Sequence, residues 1–152
     1  MTENLRHYAD ERIDITYDAE RCIHVAECLR GLPAVFDTAR RPWVLPSGAS
    51  ADAIAEVIER CPSGALHYTR LDGGPNEAAP DHTTITPRRR GPLYVRGDLE
   101  IRLPDGTVIK DTRATLCRCG LSDNKPFCDN SHRRSNFDDE PIEQLIAGAR
   151  PA

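Results

Sequence analysis

The chain has 152 residues, 39% of them hydrophobic and only 5% aromatic, which is thin for one large core and suits two small units instead. Its net charge of −4 excludes the strongly basic signature of a nucleic-acid binder, and no apolar run is long enough to span a membrane. Six cysteines against a polar N-terminus with no secretory character point to a reducing cytoplasm, where thiols bind metal more readily than they pair.

In chain order, residues 1–10 read as a polar, frayed start. Arg12 to Tyr17 alternates apolar and polar, which predicts a strand with one buried face. Asp18 ends it and leads into Cys22, His24 and Cys28. Ala34 to Phe36 is short and apolar, and Arg41 to Leu45 reads as a second strand. Ser50 is an N-cap, with Asp52 in the first turn of a helix whose Ile54, Val57, Ile58 and Cys61 share one buried face. Pro62 ends that helix at Cys61. Ala65 to Tyr68 returns as a strand beside the first.

Residues 71–82 are dense in Gly, Pro, Asn and Asp and read as a linker between two cysteine groups. Arg88, Arg89 and Arg90 follow, either a docking patch for an acidic partner or a solvated edge. Pro92 to Arg96 predicts a strand, Gly97-Asp98 a turn, Leu99 to Leu103 a strand, Pro104 to Gly106 a turn, and Thr107 to Ile109 a further strand. Ala114 to Leu116 leads into the second cysteine group. After it, Phe137 is a packing anchor, and Pro141 to Ile146 can make one or two helical turns.

The second group holds Cys117, Cys119, Cys128 and His132 within sixteen residues, three soft thiolates and one imidazole. Cys128 and His132 stand one helical turn apart and aim at one metal. Cys117 and Cys119 need a tight turn, for which Gly120 supplies a permissive backbone. Asp129, Asn130 or Ser131 can cap the short helix that carries His132. Two ligand pairs suit a centre of two irons better than one ion, although three cysteines and a histidine are also a legitimate zinc set.

The pattern Cys-x-Cys, Ser122, Pro126, Cys128-Asp129 and Ser131-His132 resembles the CDGSH iron–sulfur (NEET) family. The resemblance implies a [2Fe-2S] cluster on Cys117, Cys119, Cys128 and His132. Asn130 stands where that family has Gly, and Asn is the usual substitute where a left-handed backbone is needed. The first group, Cys22 and Cys28 with a distant Cys61-Pro62, resembles the divergent single-cluster bacterial ferredoxins. The position of their middle cysteine is Val25, which cannot ligate. Three cysteines suit a [3Fe-4S] cluster; a [4Fe-4S] cluster needs a fourth ligand, for which His24 is the nearest candidate. The alternative is a small buried thiol cluster without metal.

The expected fold is α+β: a small ferredoxin-like α/β sandwich over 12–70, a linker over 71–82, a small antiparallel β-region with the CDGSH-type loop and short helix over 83–137, and a tail over 138–152. No phosphate loop, nucleophile–base arrangement or carboxylate pair stands out, and His7, His67 and His82 lack a motif. The expected function is therefore one-electron transfer by a two-cluster carrier rather than an enzyme. The alternatives are a cluster donor or redox/pH sensor, and a structural zinc module. The implied partner is a redox protein or an apo-acceptor of a cluster, with neither nucleic acid nor membrane. Arg118 and Lys125 either damp the charge of a reduced cluster or keep the loop soluble. Oligomeric state is left open.

Overall fold

A computed structural model describes residues 4–138 and shows a small α+β fold built on two antiparallel three-stranded sheets. In the first sheet, β1 (Leu5–Ala9) pairs with β2 (Ile13–Asp18), which pairs with β3 (Leu66–Arg70). The short helix α1 (Glu27–Gly31) and the longer α2 (Ala51–Glu59) lie between β2 and β3 in sequence. In the second sheet, β4 (Thr84–Pro87), β5 (Leu93–Arg102) and β6 (Val108–Leu116) follow one another as neighbours.

Helix α2 starts where predicted, with the Ser50 hydroxyl accepting a hydrogen bond from the Ala53 amide. Its Ile54, Val57 and Ile58 form one core with Ile13, Ile15, Leu66 and Tyr68 of the first sheet and with Val35, Phe36 and Val44. The second half has far less: Val95, Ala114, Phe127 and Cys128 are its buried hydrophobic residues among those described. A core that small does not hold a fold by apolar burial alone.

Three expectations need correction. Residues 5–9 are not a frayed start but strand β1, because β2 offers them a free edge and its outer neighbours can complete the ladder. Arg41 to Leu45 is not a strand; only Val44 forms a bridge, to Phe36. Pro42 and Pro46 bracket it and lack amide protons, so the ladder cannot extend. Gly97-Asp98 is not a turn: β5 runs through it with a register irregularity between Arg96 and Leu99. The long partner β6 pairs on both sides of the bulge, and a Cβ at Gly97 would meet the Thr83 hydroxyl. The helical turns expected over 141–146 lie outside the described residues.

The two halves are joined by charge. Arg113 on β6 has no exposed surface, and its five N–H groups all find acceptors. It donates to the carbonyls of Ile58 (3.1 Å) and Cys61 (2.6 Å) at the end of α2, to Leu66 O (2.8 Å), and to both oxygens of Glu77 (2.8 and 2.9 Å). Arg21 reaches the other way, to Asp111 (2.5 Å), Ser63 O (2.8 Å) and Arg113 O (3.0 Å), with its guanidinium 4.5 Å from the Phe127 ring centre. His67 completes the network, with Nε2 3.0 Å from Asp111. Glu77 lies in the segment read as a linker, so that segment is pinned at its middle.

Burial alone would raise the carboxyls of Asp111 and Glu77. The hydrogen bond of each to His67, with Arg21 beside Asp111 and Arg113 beside Glu77, instead takes both down to about 2. Burial works against the His67 imidazolium, yet Asp111 and Glu77 outweigh it and raise its pKa above 6.5. The carboxylates therefore stabilise the fold above their unfolded values of about 4, and that contribution is lost as pH falls toward 2. His67 contributes fully below 6.5, and its contribution is lost as pH rises through its raised folded value. Urea midpoints at pH 3, 5.5 and 8.5 should be highest at 5.5. In His67→Gln the alkaline decline should shrink; an unchanged decline would remove His67 from the account.

Candidate iron–sulfur sites

The second cysteine group sits on a closed loop at the end of β6. Leu116 bridges Phe127, Cys117 N donates to Pro126 O (2.8 Å), and Cys128 N donates to Thr115 O (2.9 Å). Both ends of the loop are thereby fixed side by side. Ser122 braces the inside: its hydroxyl donates to Phe127 O (2.6 Å) and accepts from Asn124 N (3.0 Å). Asp129 braces the outside, accepting from the amides of Asp123 and Ser131 (both 2.9 Å); the Ser131 side chain first, and then these amides, hold its carboxyl down at about 2. Gly120 (φ 82°) and Asn130 (φ 69°) are both left-handed, as the sequence suggests. His132 is carried by a single 3-10 turn, Ser131–Arg134, rather than an α-helical one. Asn130 occupies its N-cap position without a side-chain cap bond, because its side chain is engaged elsewhere.

The donors come in two pairs. Cys117 and Cys119 sulfurs are 3.9 Å apart, and Cys128 Sγ is 3.6 Å from His132 Nδ1. Two thiolates on one tetrahedral metal lie about 3.8 Å apart, and a thiolate and an imidazole about 3.5 Å, given metal–ligand bonds of about 2.3 and 2.0 Å. Each pair is thus spaced for one metal. Among the described residues no three His, Cys, Asp or Glu side chains converge as they would around a single ion.

Backbone amides are aimed at the sulfurs: Leu121 N is 3.4 Å from Cys119 Sγ and Asn130 N is 3.3 Å from Cys128 Sγ. Burial opposes ionisation of Cys117, but the amides of Ser122 and Gly120 outweigh it and push the thiol below its ordinary value. Burial pushes Cys128 up, and the nearby sulfurs of Cys117 and Cys119 add to this. Such crowding of thiolates is relieved by a cationic centre. Arg118, between the two cysteines, donates to Gly91 O (2.8 Å) and Arg88 O (2.7 Å) and stacks on Phe137 at 5.1 Å. It acts as a clasp between loops, and Phe137 serves as the expected anchor. Lys125 donates to Ser122 O (3.0 Å).

Cys22, Cys28 and Cys61 line one cavity together with His24 and Val25. Burial, followed by the proximity of Cys61 and Cys22, pushes Cys28 up to about 11. Cys61 is lowered despite burial, by Ser63, the Leu66 amide and Arg113. His24 Nδ1 is 3.8 Å from Cys22 Sγ, with the residue exposed and left-handed (φ 57°); Ala26 is left-handed too (φ 65°). Two such residues without glycine mean that the surroundings impose the loop's shape. Tyr17 and Trp43, 4.9 Å apart, wall the cavity.

The two sites touch through side chains beside the second that donate to backbone carbonyls of the first. Asn130 Nδ2 donates to Ile23 O (2.9 Å), next to Cys22, and Thr115 Oγ1 donates to Pro62 O (2.9 Å), next to Cys61. Sequence reasoning missed Arg21, Arg113 and the bridging role of Asn130. A lone arginine, in a turn as Arg21 or in a strand as Arg113, carries no mark of burial, and the Gly-to-Asn change reads as backbone chemistry alone.

Residues 8–71 match the family model described as a divergent 4Fe-4S mono-cluster, and residues 90–133 match that of the iron-binding zinc finger of CDGSH type. The protein YjdI, described as uncharacterized in Escherichia coli K12 and O157:H7, is 38% identical over 63 residues, which are 83% of YjdI and 41% of this chain. The chain belongs to the divergent 4Fe-4S mono-cluster family and carries a CDGSH domain after it. The first match spans Cys22, Cys28 and Cys61, and the second spans Cys117, Cys119, Cys128 and His132. Among the described residues no helix is long and apolar enough to cross a membrane.

Proposed function

We propose that this iron–sulfur protein is a two-cluster, one-electron carrier rather than an enzyme. Cys117 and Cys119 would hold one iron of a [2Fe-2S] centre, and Cys128 and His132 the other. Cys22, Cys28 and Cys61 would hold a second cluster, [3Fe-4S] or, with His24, [4Fe-4S]. The observation that carries the reading is the division of the CDGSH donors into two pairs, each at one-metal spacing. When bound, each cluster supplies one-electron redox chemistry. The protein's own part is to aim amides at the thiolates, exclude water from Cys128, and fix the two ligand loops against each other through Asn130 and Thr115.

Iron, sulfide and zinc content of anaerobically purified protein, with electron paramagnetic resonance, tests this. About five irons with an oxidised three-iron signal are expected for [2Fe-2S] plus [3Fe-4S], and about six for a [4Fe-4S] centre. Zinc without sulfide would overturn the reading and leave a structural module. A second reading, cluster donation or pH sensing, draws on the placement of His132 at the edge of an open hollow. An imidazole ligand there can be protonated away from its metal. That reading requires cluster transfer to an apo-ferredoxin, and no transfer in either redox state would end it.

A further inference from the structure

His132 opens onto a hollow of about 740 Å³ whose lining, among the described residues, includes Arg88, Arg89, Arg90 and Arg133 together with the carboxylate of Asp138. All four arginines are exposed, on a chain whose overall charge is −4. Val25, Tyr94 and Phe137, all partly buried, supply its apolar floor. An apolar floor with a charged, wet rim is the anatomy of a protein–protein contact. A site for a small anion would instead direct buried donors at one point.

The rim is fixed to the ligand loop. Arg88 N donates to Pro92 O (2.8 Å) and Gly91 N to Arg88 O (2.9 Å), closing a turn in which Arg90 is left-handed (φ 49°). Arg118, between Cys117 and Cys119, grips that turn by its Arg88 and Gly91 carbonyls. Arg88 also stacks on Tyr94, 5.0 Å from the ring centre, and Arg90 lies 3.6 Å from Asp138. The basic turn is therefore a preorganised edge beside His132.

We propose that this hollow is the docking site for an acidic protein partner, whose carboxylates meet Arg88, Arg89, Arg90 and Arg133 while its apolar centre covers the floor at His132. The proposal rests on the carrier reading for its purpose, since docking there places a partner next to a cluster ligand. A local positive field steers an acidic surface against the repulsion of the protein's net charge.

The test uses the full-length protein and two probes. A ten-residue glutamate peptide is titrated while backbone amides are followed by NMR. Salt-sensitive shifts should centre on residues 88–91 and 132–137, and the variant R88Q/R89Q/R133Q should weaken binding roughly tenfold with its melting temperature unchanged. Shifts centred elsewhere overturn the proposal, as does inorganic phosphate binding as tightly as the peptide, which would mark a small-anion site. In the second measurement the reduced protein passes one electron to hexacyanoferrate(III) or to hexaammineruthenium(III). The anionic oxidant should slow as salt rises and slow several-fold in the variant, while the cationic one should not slow in the variant. Acceleration of the anionic oxidant by salt, as the net charge alone dictates, overturns the proposal. If neither oxidant takes an electron, the carrier reading fails while the peptide titration still decides the docking site.

Discussion

Replacing Arg113 by Met should destabilise the full chain by roughly 3–5 kcal/mol, the usual effect of removing one partner from a buried ion pair. Glu77 would remain half-buried without its cation, and the carbonyls of Ile58, Cys61 and Leu66 would lose their donor. Arg113→Lys should recover only part of the loss, because an ammonium brings three donors where five N–H groups are engaged. Because the second half has so small a core, the loss should fall on it first. Urea unfolding followed by tryptophan fluorescence (Trp43, first half) and by visible absorption of the CDGSH centre should coincide in the native protein and separate in Arg113→Met. Separate transitions already in the native protein would mean that the halves are independent and the arginine network adds little. Arg113→Met combined with Glu77→Gln should be less destabilising than the sum of its parts, since each charge is costly mainly when the other is gone.

His132→Cys should keep a cluster but lower its potential, on the order of 100 mV or more, toward the range of all-thiolate centres. The exchange replaces a neutral ligand by an anionic one and so favours the oxidised state. His132 Nδ1 lies 3.6 Å from the Cys128 sulfur, on the single 3-10 turn Ser131–Arg134. Protein-film voltammetry on both forms reads the shift directly. It should also lose its pH dependence in the mildly acid range, because no protonatable imidazole remains at the metal. An unchanged potential and an unchanged pH profile together would remove His132 from the ligand set.

The spacing of the cysteine and histidine groups and the local backbone needs were legible in the sequence. Cys-x-Cys followed by Cys128 and His132, the left-handed positions at Gly120 and Asn130, and the Ser50 cap are short-range features. Their physics is complete within a few residues of chain. Helix α2 and strands β2 and β3 were legible for the same reason, since periodicity within one segment reports which face is buried. Strand β1 was not, because its residues look polar and are ordered by the partner edge they find. The bulge at Gly97-Asp98 was missed because pairing partners, which local turn propensity cannot report, decide whether a strand stops. What only the tertiary structure decided is the joint between the halves. Arg21, Arg113, Glu77 and Asp111 lie as far as 92 positions apart in the chain. A charged residue is read from sequence as exposed until the carbonyls and carboxylates that satisfy it are placed around it. The same holds for Asn130: chain chemistry requires only its left-handed backbone, while its side-chain bond to Ile23 exists because folding brings the two cysteine-bearing loops together.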